Sequence, residues 1–156
     1  MDPELSAALD AHTTLTLAYT DADGPQACAV FYAPSHAPAG GPPVLYFVTS
    51  PGTRHGRALL AGDGRVAFTA QRDDQEWTAL TGLQGRGRCR VLGGAERAAA
   101  WAVYRARFPY VERSERLRRA VESTELWELR PDWLRLVDNG RGFGHKAEWR
   151  PEDQGR

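Results

Sequence analysis

At 156 residues the chain has the length of a single domain, enough to bury roughly 70% of the surface its unfolded form exposes and so to fold without disulfides. Lysine plus arginine equals aspartate plus glutamate, 20 each, for a net charge of zero, which speaks against a general nucleic-acid binder held by excess basic charge. No apolar run approaches the ~20 residues of a membrane helix, and the acidic start MDPELSAALDAH lacks the charged region of a signal peptide.

The two cysteines, Cys28 and Cys89, form neither a CxxC pair nor a zinc spacing. Both lie in strand-like runs and read as small core residues, so a reduced, cytoplasmic setting is expected. Lys146 is the only lysine.

Pro3 to Ala11 reads as a helix, with Leu5, Ala8 and Leu9 at helical spacing and Asp2 as its N-cap before Pro3. Thr13 to Thr20 alternates Leu15, Leu17 and Tyr19 with Thr14, Thr16 and Ala18, the pattern of a half-buried strand. The turn DADGP and a second strand, Gln26 to Ala33, complete a hairpin. Pro34 to Pro43 is a Pro/Gly/Ala surface loop.

Val44 to Thr49 is a third strand, followed by hydroxyls and bases and a short helical run from Arg57 to Leu60. Gly62 to Gly64 turns the chain into a fourth strand, Arg65 to Gln71, and Arg72 to Glu76 is a polar turn. Trp77 to Leu92 is long and β-prone. Its Gly82, Gly85 and Gly87 mark bulges or the close approach of a ligand or another backbone.

Glu96 to Phe108 is a helix with Trp101, Tyr104 and Phe108 on one face, stopped by Pro109, and Ser114 to Ser123 is a second, charged one. Leu126 to Asp138 is the last strand, and Pro131 within it marks a bulge, a break or an edge. Asn139 to Trp149 is a glycine-rich aromatic tail, and Pro151 to Arg156 is expected to be flexible. The tryptophans are expected mostly in the core. About six strands joined largely by hairpins, with three or four helices and no βαβ alternation, predict an antiparallel barrel with helices packed outside it.

Four stretches carry candidate chemistry. Thr49, Ser50, Thr53 and Arg54, with His55 beside them, stand where a strand end meets a helix start. Free helical N–H groups and a guanidinium fork there suit a phosphate, although an ordinary solvated loop has the same composition. The small residues Ala27 to Ala29 leave room for a flat ring along the strand. Gln84, flanked by glycines, can donate to and accept from the polar edge of a heterocycle. The tail gathers Asn139, Arg141, Phe143, His145, Lys146 and Trp149. There is no GxGxxG, P-loop, GxSxG or HExxH, so any chemistry falls to a bound cofactor.

These stretches, in this order, resemble the FMN-binding split-barrel superfamily of pyridoxamine 5′-phosphate oxidase-like proteins. The matching pieces are YFVTSPGTRHGRAL, RVAFTA, TALTGLQGRGRC, YRARFP and LRLVDNGRGFGHKAEW, the last carrying a DNxxGFGxK motif of a small bacterial branch. The resemblance covers residues 5 to 149. It implies one domain over residues 1–150, mainly β, a six-stranded antiparallel split barrel with a few packed helices. It implies a homodimer with FMN in clefts at the interface, and a flavin-dependent oxidoreductase.

Thr49, Ser50, Thr53, Arg54 and His55 would then surround the phosphate, and Ala29, Val30 and Phe31 would line the isoalloxazine. Gln84 would reach the ring's polar edge, and Lys146 would come from the tail near the cleft. Haem and deazaflavin are the alternative cofactors within the superfamily, and a non-catalytic binding or sensing role the alternative function. The Arg/Lys-rich substrate motifs of pyridoxamine 5′-phosphate oxidase itself are not evident, so vitamin B6 oxidation is not inherited.

Overall fold

The computed structural model describes residues 1–37 and 41–151. Part of the Pro34–Pro43 loop and the expected flexible end at 152–156 lie outside the described residues. Helix α1 (Pro3–Ala11) starts where the sequence places it: the Asp2 carboxylate accepts from Glu4 N at 2.9 Å, and Pro3 occupies the first turn. Its apolar stripe, Leu5 and Leu9, is fully buried.

The strands are β1 (Thr14–Asp21), β2 (Gly24–Ser35), β3 (Val44–Thr49), β4 (Arg65–Gln71), β5 (Thr81–Val91), β6 (Glu125–Asp138) and β7 (Lys146–Trp149). The remaining helices are α2 (Arg54–Ala61), α3 (Gly94–Arg107) and α4 (Glu115–Glu122). The fold is mainly β, all strand pairs being antiparallel in one seven-stranded sheet.

The order is β3-β2-β1-β4-β5-β6-β7, and β3 also pairs with β6. Six strands therefore close a barrel, as expected, and a seventh extends it. The first half of β6 holds β3 through Glu125–Leu129, and its second half holds β7 through Leu134–Val137.

The seventh strand corrects the reading of Asn139–Trp149 as a tail without strand structure. Gly142 (φ 133°) and Gly144 (φ 78°) take backbone conformations that other residues rarely adopt and reverse the chain after β6. Asn139 pins the turn, its Nδ2 donating to Trp77 O at 2.9 Å and its Oδ1 accepting from Gly144 N at 3.0 Å. Other boundaries differ as well, β2 running from Gly24 to Ser35 into the expected loop. Trp77–Ala79 forms a short 3-10 turn, so β5 begins at Thr81. Helix α2 begins at Arg54 because Thr53 caps it, accepting from Gly56 N at 3.0 Å.

The barrel interior holds Leu15, Leu17, Tyr32, Leu45, Phe47, Phe68, Leu83 and Leu134, and α1 and Trp149 join the same cluster. A second cluster lies under α3, where Trp101, Tyr104 and Phe108 pack with Ala33, Leu92 and Leu126. Trp101, Trp127 and Trp149 are core residues, whereas Trp133 is half-buried and Trp77 is 73% exposed. Burial pushes the Cys89 thiol up to about 12, as befits a packing residue.

The glycines of β5 serve neighbours within the chain. Gly87 lies against β6, where an added Cβ would stand 2.2 Å from Arg130 O. There the register slips: Arg86 faces Trp133, Gly87 faces Pro131, and Asp132 bulges out between them. Gly85 lies directly opposite Phe68, whose ring covers it, and a Cβ at Gly85 would stand 2.2 Å from the ring edge. Gly85→Ala should cost about 1–3 kcal/mol through overpacking, seen as a lower denaturant midpoint. Combined with Phe68→Leu its cost should shrink markedly, and strictly additive losses would show that the ring contact is not the cause.

Candidate functional site

Outward-facing residues on the sheet line up in rows set by the register. One row reads Ala29, Thr16, Thr69, Gln84, Arg135 and Glu148 across β2-β1-β4-β5-β6-β7. The next reads Ala27, Ala18, Ala67, Arg86 and Trp133. An antiparallel sheet facing water ordinarily carries long polar side chains on that side. Here the middle of the face is alanine and threonine, so the surface is flat and low.

Two recesses open on this face, on successive rows of β1 and β4. The larger, about 630 Å³, has Ala18, Thr20, Ala67 and Arg86 on its floor, with Ala58 and Leu59 of α2 as a wall. The smaller, about 450 Å³, is lined by Thr14, Thr16, Thr69 and Gln71, with His12 and Arg72 at its rim. Ala18 and Ala67 belong to one, and Thr16 and Thr69, two residues along the same strands, to the other. Together they form a groove along the β1/β4 pair. From Thr14 to Thr20 it runs roughly 20 Å at about 3.4 Å per residue.

Ala29 and Gln84 flank this groove in the Thr16–Thr69 row, both exposed. Phe31 is exposed opposite Thr14 and packs edge-on against Phe108 of α3. Val30 points the other way, into the barrel, so only its backbone is available to a ligand on the outer face. Lys146 is exposed on β7 opposite Val137, which faces Gly82. His145 bonds Glu4 of α1 at 3.2 Å, and Arg141 bonds the same carboxylate.

The expected phosphate residues form a second group. The buried Thr49 hydroxyl lies 2.6 Å from His55 Nε2 and 3.3 Å from Thr53 Oγ1. Thr53 donates to Ser50 O at 2.8 Å while accepting from Gly56 N. With the Thr53 proton thus committed, the chain of bonds is satisfied when Thr49 donates to Thr53 and His55 donates from Nε2. Burial lowers the His55 pKa, and the ring leans against Tyr19 at 6.2 Å. Ser50 Oγ accepts from Gly52 N at 3.1 Å.

Arg54 turns away from this group toward the β1–β2 hairpin. Its Nε donates to Asp21 Oδ2 at 2.6 Å and its Nη2 to Asp23 Oδ2 at 2.6 Å. The hydrogen bond from Arg54 is the main reason the Asp21 carboxyl is held below its usual range. None of Thr49, Ser50, Thr53, Arg54 or His55 lines either recess, whereas the later turns of α2 do. The start of α2 thus carries the expected phosphate residues, while its later turns wall the larger recess. Among the described residues no group of His, Cys, Asp and Glu could hold a metal, and no helix is long and apolar enough to cross a membrane.

Sequence reasoning missed Thr16, Thr69, His12 and Arg86. The available signal was the outward half of each alternating strand, where Thr, Ala and Thr replace the usual charged residues.

No family model matches the chain. It has homologues in the UPF0306 family: it is 33% identical over 106 residues to a UPF0306 protein of Klebsiella pneumoniae, covering 68% of this chain and 66% of that protein, just under two thirds of the relative's length. Among solved structures it resembles a heme binding protein from Mycobacterium smegmatis, with a TM-score of 0.67 and 24% identity over 95% of this chain and 55% of that one. It also resembles a FAD-binding protein from Mesorhizobium loti, with a TM-score of 0.62 and 18% identity over 87% of this chain and 94% of that one. At these identities the likeness shows the split-barrel fold.

Both His55 and His12 are held toward the neutral form, chiefly by burial. The unfolded chain then binds more protons near the ordinary histidine pKa of about 6.5. Stability should be complete above that pH and fall as pH drops through the lowered values. In urea titrations from pH 8 to pH 5, His55→Gln should show a shallower loss than the wild type, and an unchanged slope would remove His55 from that role.

Proposed function

We propose that the protein holds a flavin, FMN, in the groove along β1 and β4 and acts as a flavin-dependent oxidoreductase in the cytoplasm. The observation that carries this reading is the flat floor of Thr16, Ala18, Ala67 and Thr69 with Ala29 and Gln84 on its flanks. Small side chains let a planar ring lie close to the sheet. Gln84 offers both an N–H and a carbonyl to the ring's polar edge. A flavin supplies hydride or electron transfer. The chain's part is to bind it, exclude water from one ring face and stabilise charge at that edge.

The phosphate goes to the start of α2, where Arg54, Thr53, Ser50 and His55 surround free helical N–H groups. Arg54 reaches it by exchanging Asp23, whose side chain is 79% exposed; ion pairs this open to water are weakly held. A homodimer would cover the groove, and the exposed, adjacent rings of Trp77 and Phe143 fit such burial.

Haem is the second reading, favoured by one residue: His12 lines the smaller recess, and burial pushes it toward the neutral form, the one that binds iron.

The absorption spectrum of the purified full-length protein after gel filtration separates these readings. A flavin spectrum is expected; a Soret band that disappears in His12→Ala would favour haem; a colourless protein that FMN cannot reconstitute overturns both. If the phosphate is held at α2, Arg54→Ala should weaken FMN binding at least tenfold, with riboflavin affinity unchanged. Equal FMN affinity in the variant would remove Arg54 from the site. Light scattering on the eluted peak reads the mass of the assembly, and a monomer would sink the interface cleft.

A further inference from the structure

Beside the groove, the register brings like charges face to face. Arg65 of β4 lies directly opposite Arg88 of β5, and Arg88 lies directly opposite Arg130 of β6. Arg86 and Arg90 flank the row on β5. Like charges directly opposite one another on adjacent strands are destabilising, so an uninterrupted row of three guanidinium groups needs a compensating anion.

The protein supplies only part of one. Asp63 is shared, lying 3.6 Å from Arg65 Nε and 3.2 Å from Arg88 Nη1. Glu128, 3% exposed, is shared as well: it accepts from Arg130 Nε at 2.8 Å and from Arg90. Arg90 also holds Glu96 through two bonds of 2.9 Å, and Arg86 holds Asp132 at 2.8 Å. Five guanidinium groups thus meet four carboxylates, two of them divided between neighbours.

The row is held in place rather than loosely solvated. The buried Glu128 carboxylate clamps Arg130 through a second bond to Nη2 at 3.2 Å. Arg88 Nη1 also donates to Asp63 O at 2.9 Å, and that turn is pinned by Cys89 N donating to Gly64 O at 2.8 Å. These bonds use one nitrogen each of Arg65 and Arg88 and two of Arg130. Each fork keeps further N–H donors, and the three side chains are more than half exposed. Arg88 and Arg130, with Cys89, Arg90, Glu128 and Pro131, line a cavity of about 530 Å³, and Arg65 lines the adjoining larger recess of the groove, which shares Asp63 and Asp132 with it.

We propose that the Arg65–Arg88–Arg130 row is an anion site for a phosphate-bearing small molecule, bound through the free donors of the three forks. Guanidinium forks match phosphate oxygens in geometry and charge. The cavity has small-molecule size, and the zero net charge of the chain lacks the long-range field that draws nucleic acid. The site stands whether or not the groove holds flavin. The phosphate belongs to a second, diffusible ligand, or to the groove's own occupant if Arg54→Ala leaves FMN affinity unchanged and α2 therefore does not hold it.

Calorimetric titration of the full-length protein with pyrophosphate at constant ionic strength tests it. The wild type should bind, and Arg88→Gln and Arg65→Gln should each weaken binding at least tenfold. Arg116→Gln, on the exposed face of α4 and equal in charge change, should not. Arg88→Gln relieves the facing charges, so its melting temperature without ligand should equal or exceed the wild type's. No binding by the wild type, or an equal loss in Arg116→Gln, overturns the site. Given binding, a parallel loss of FMN but not riboflavin affinity in Arg88→Gln assigns the phosphate to the groove's occupant. Unchanged FMN affinity assigns it to a separate ligand.

Discussion

The double pairing of β6 is the constraint on which the rest of the molecule depends. One edge of this strand is divided: Glu125–Leu129 joins β3 and closes the barrel, and Leu134–Val137 joins β7. Its other edge runs along β5 throughout. The bulge at Pro131–Asp132 lies between the two halves and re-aims the strand. Proline suits the place because it offers no N–H to the ladder. Gly87 suits the facing position because any Cβ there would meet the Arg130 carbonyl.

Closure has a consequence for the surface. With the interior filled by leucine and aromatic side chains, any ligand must lie outside, against the sheet or at its ends. The outward residues of β1 and β4 then decide what can approach. Threonine and alanine give a low floor, and α2 and the α1–β1 junction rise at either end. The same outward register that lays down a flat floor at Thr16–Thr69 lays down facing arginines two rows further along β4 and β5. Groove and cationic row are one continuous surface, joined through Asp63 and Asp132.

Much of this was legible residue by residue. The alternation of Thr14–Tyr19 and of Val66–Ala70 set which side chains face the core. Asp2 and Pro3 marked the start of α1, and Pro131 marked an irregularity that proved to be a bulge. The DNxxGFGxK stretch was legible as important but not as a turn and strand, because its glycines permit many conformations and bonds such as those from Asn139 to Trp77 and Gly144 select one. Val30 was legible as part of a strand near a site. Its neighbours face outward and it faces inward, a matter of period-two parity once the hairpin register is known. Arg54 was legible as a donor fork, but its carboxylates are 33 and 31 residues away.

Local chemistry, then, determined the elements: strands from alternation, helix starts from capping side chains, turns from glycine and proline. These follow from interactions within a few residues, which any stretch of chain carries with it. Tertiary structure alone decided that β3 meets β6, that Ala29, Thr16, Thr69 and Gln84 form one row, and that Arg65, Arg88 and Arg130 stand face to face. Strand partners far apart in sequence are chosen by closing the barrel around a shared core, and no local pattern records which residue will lie opposite which.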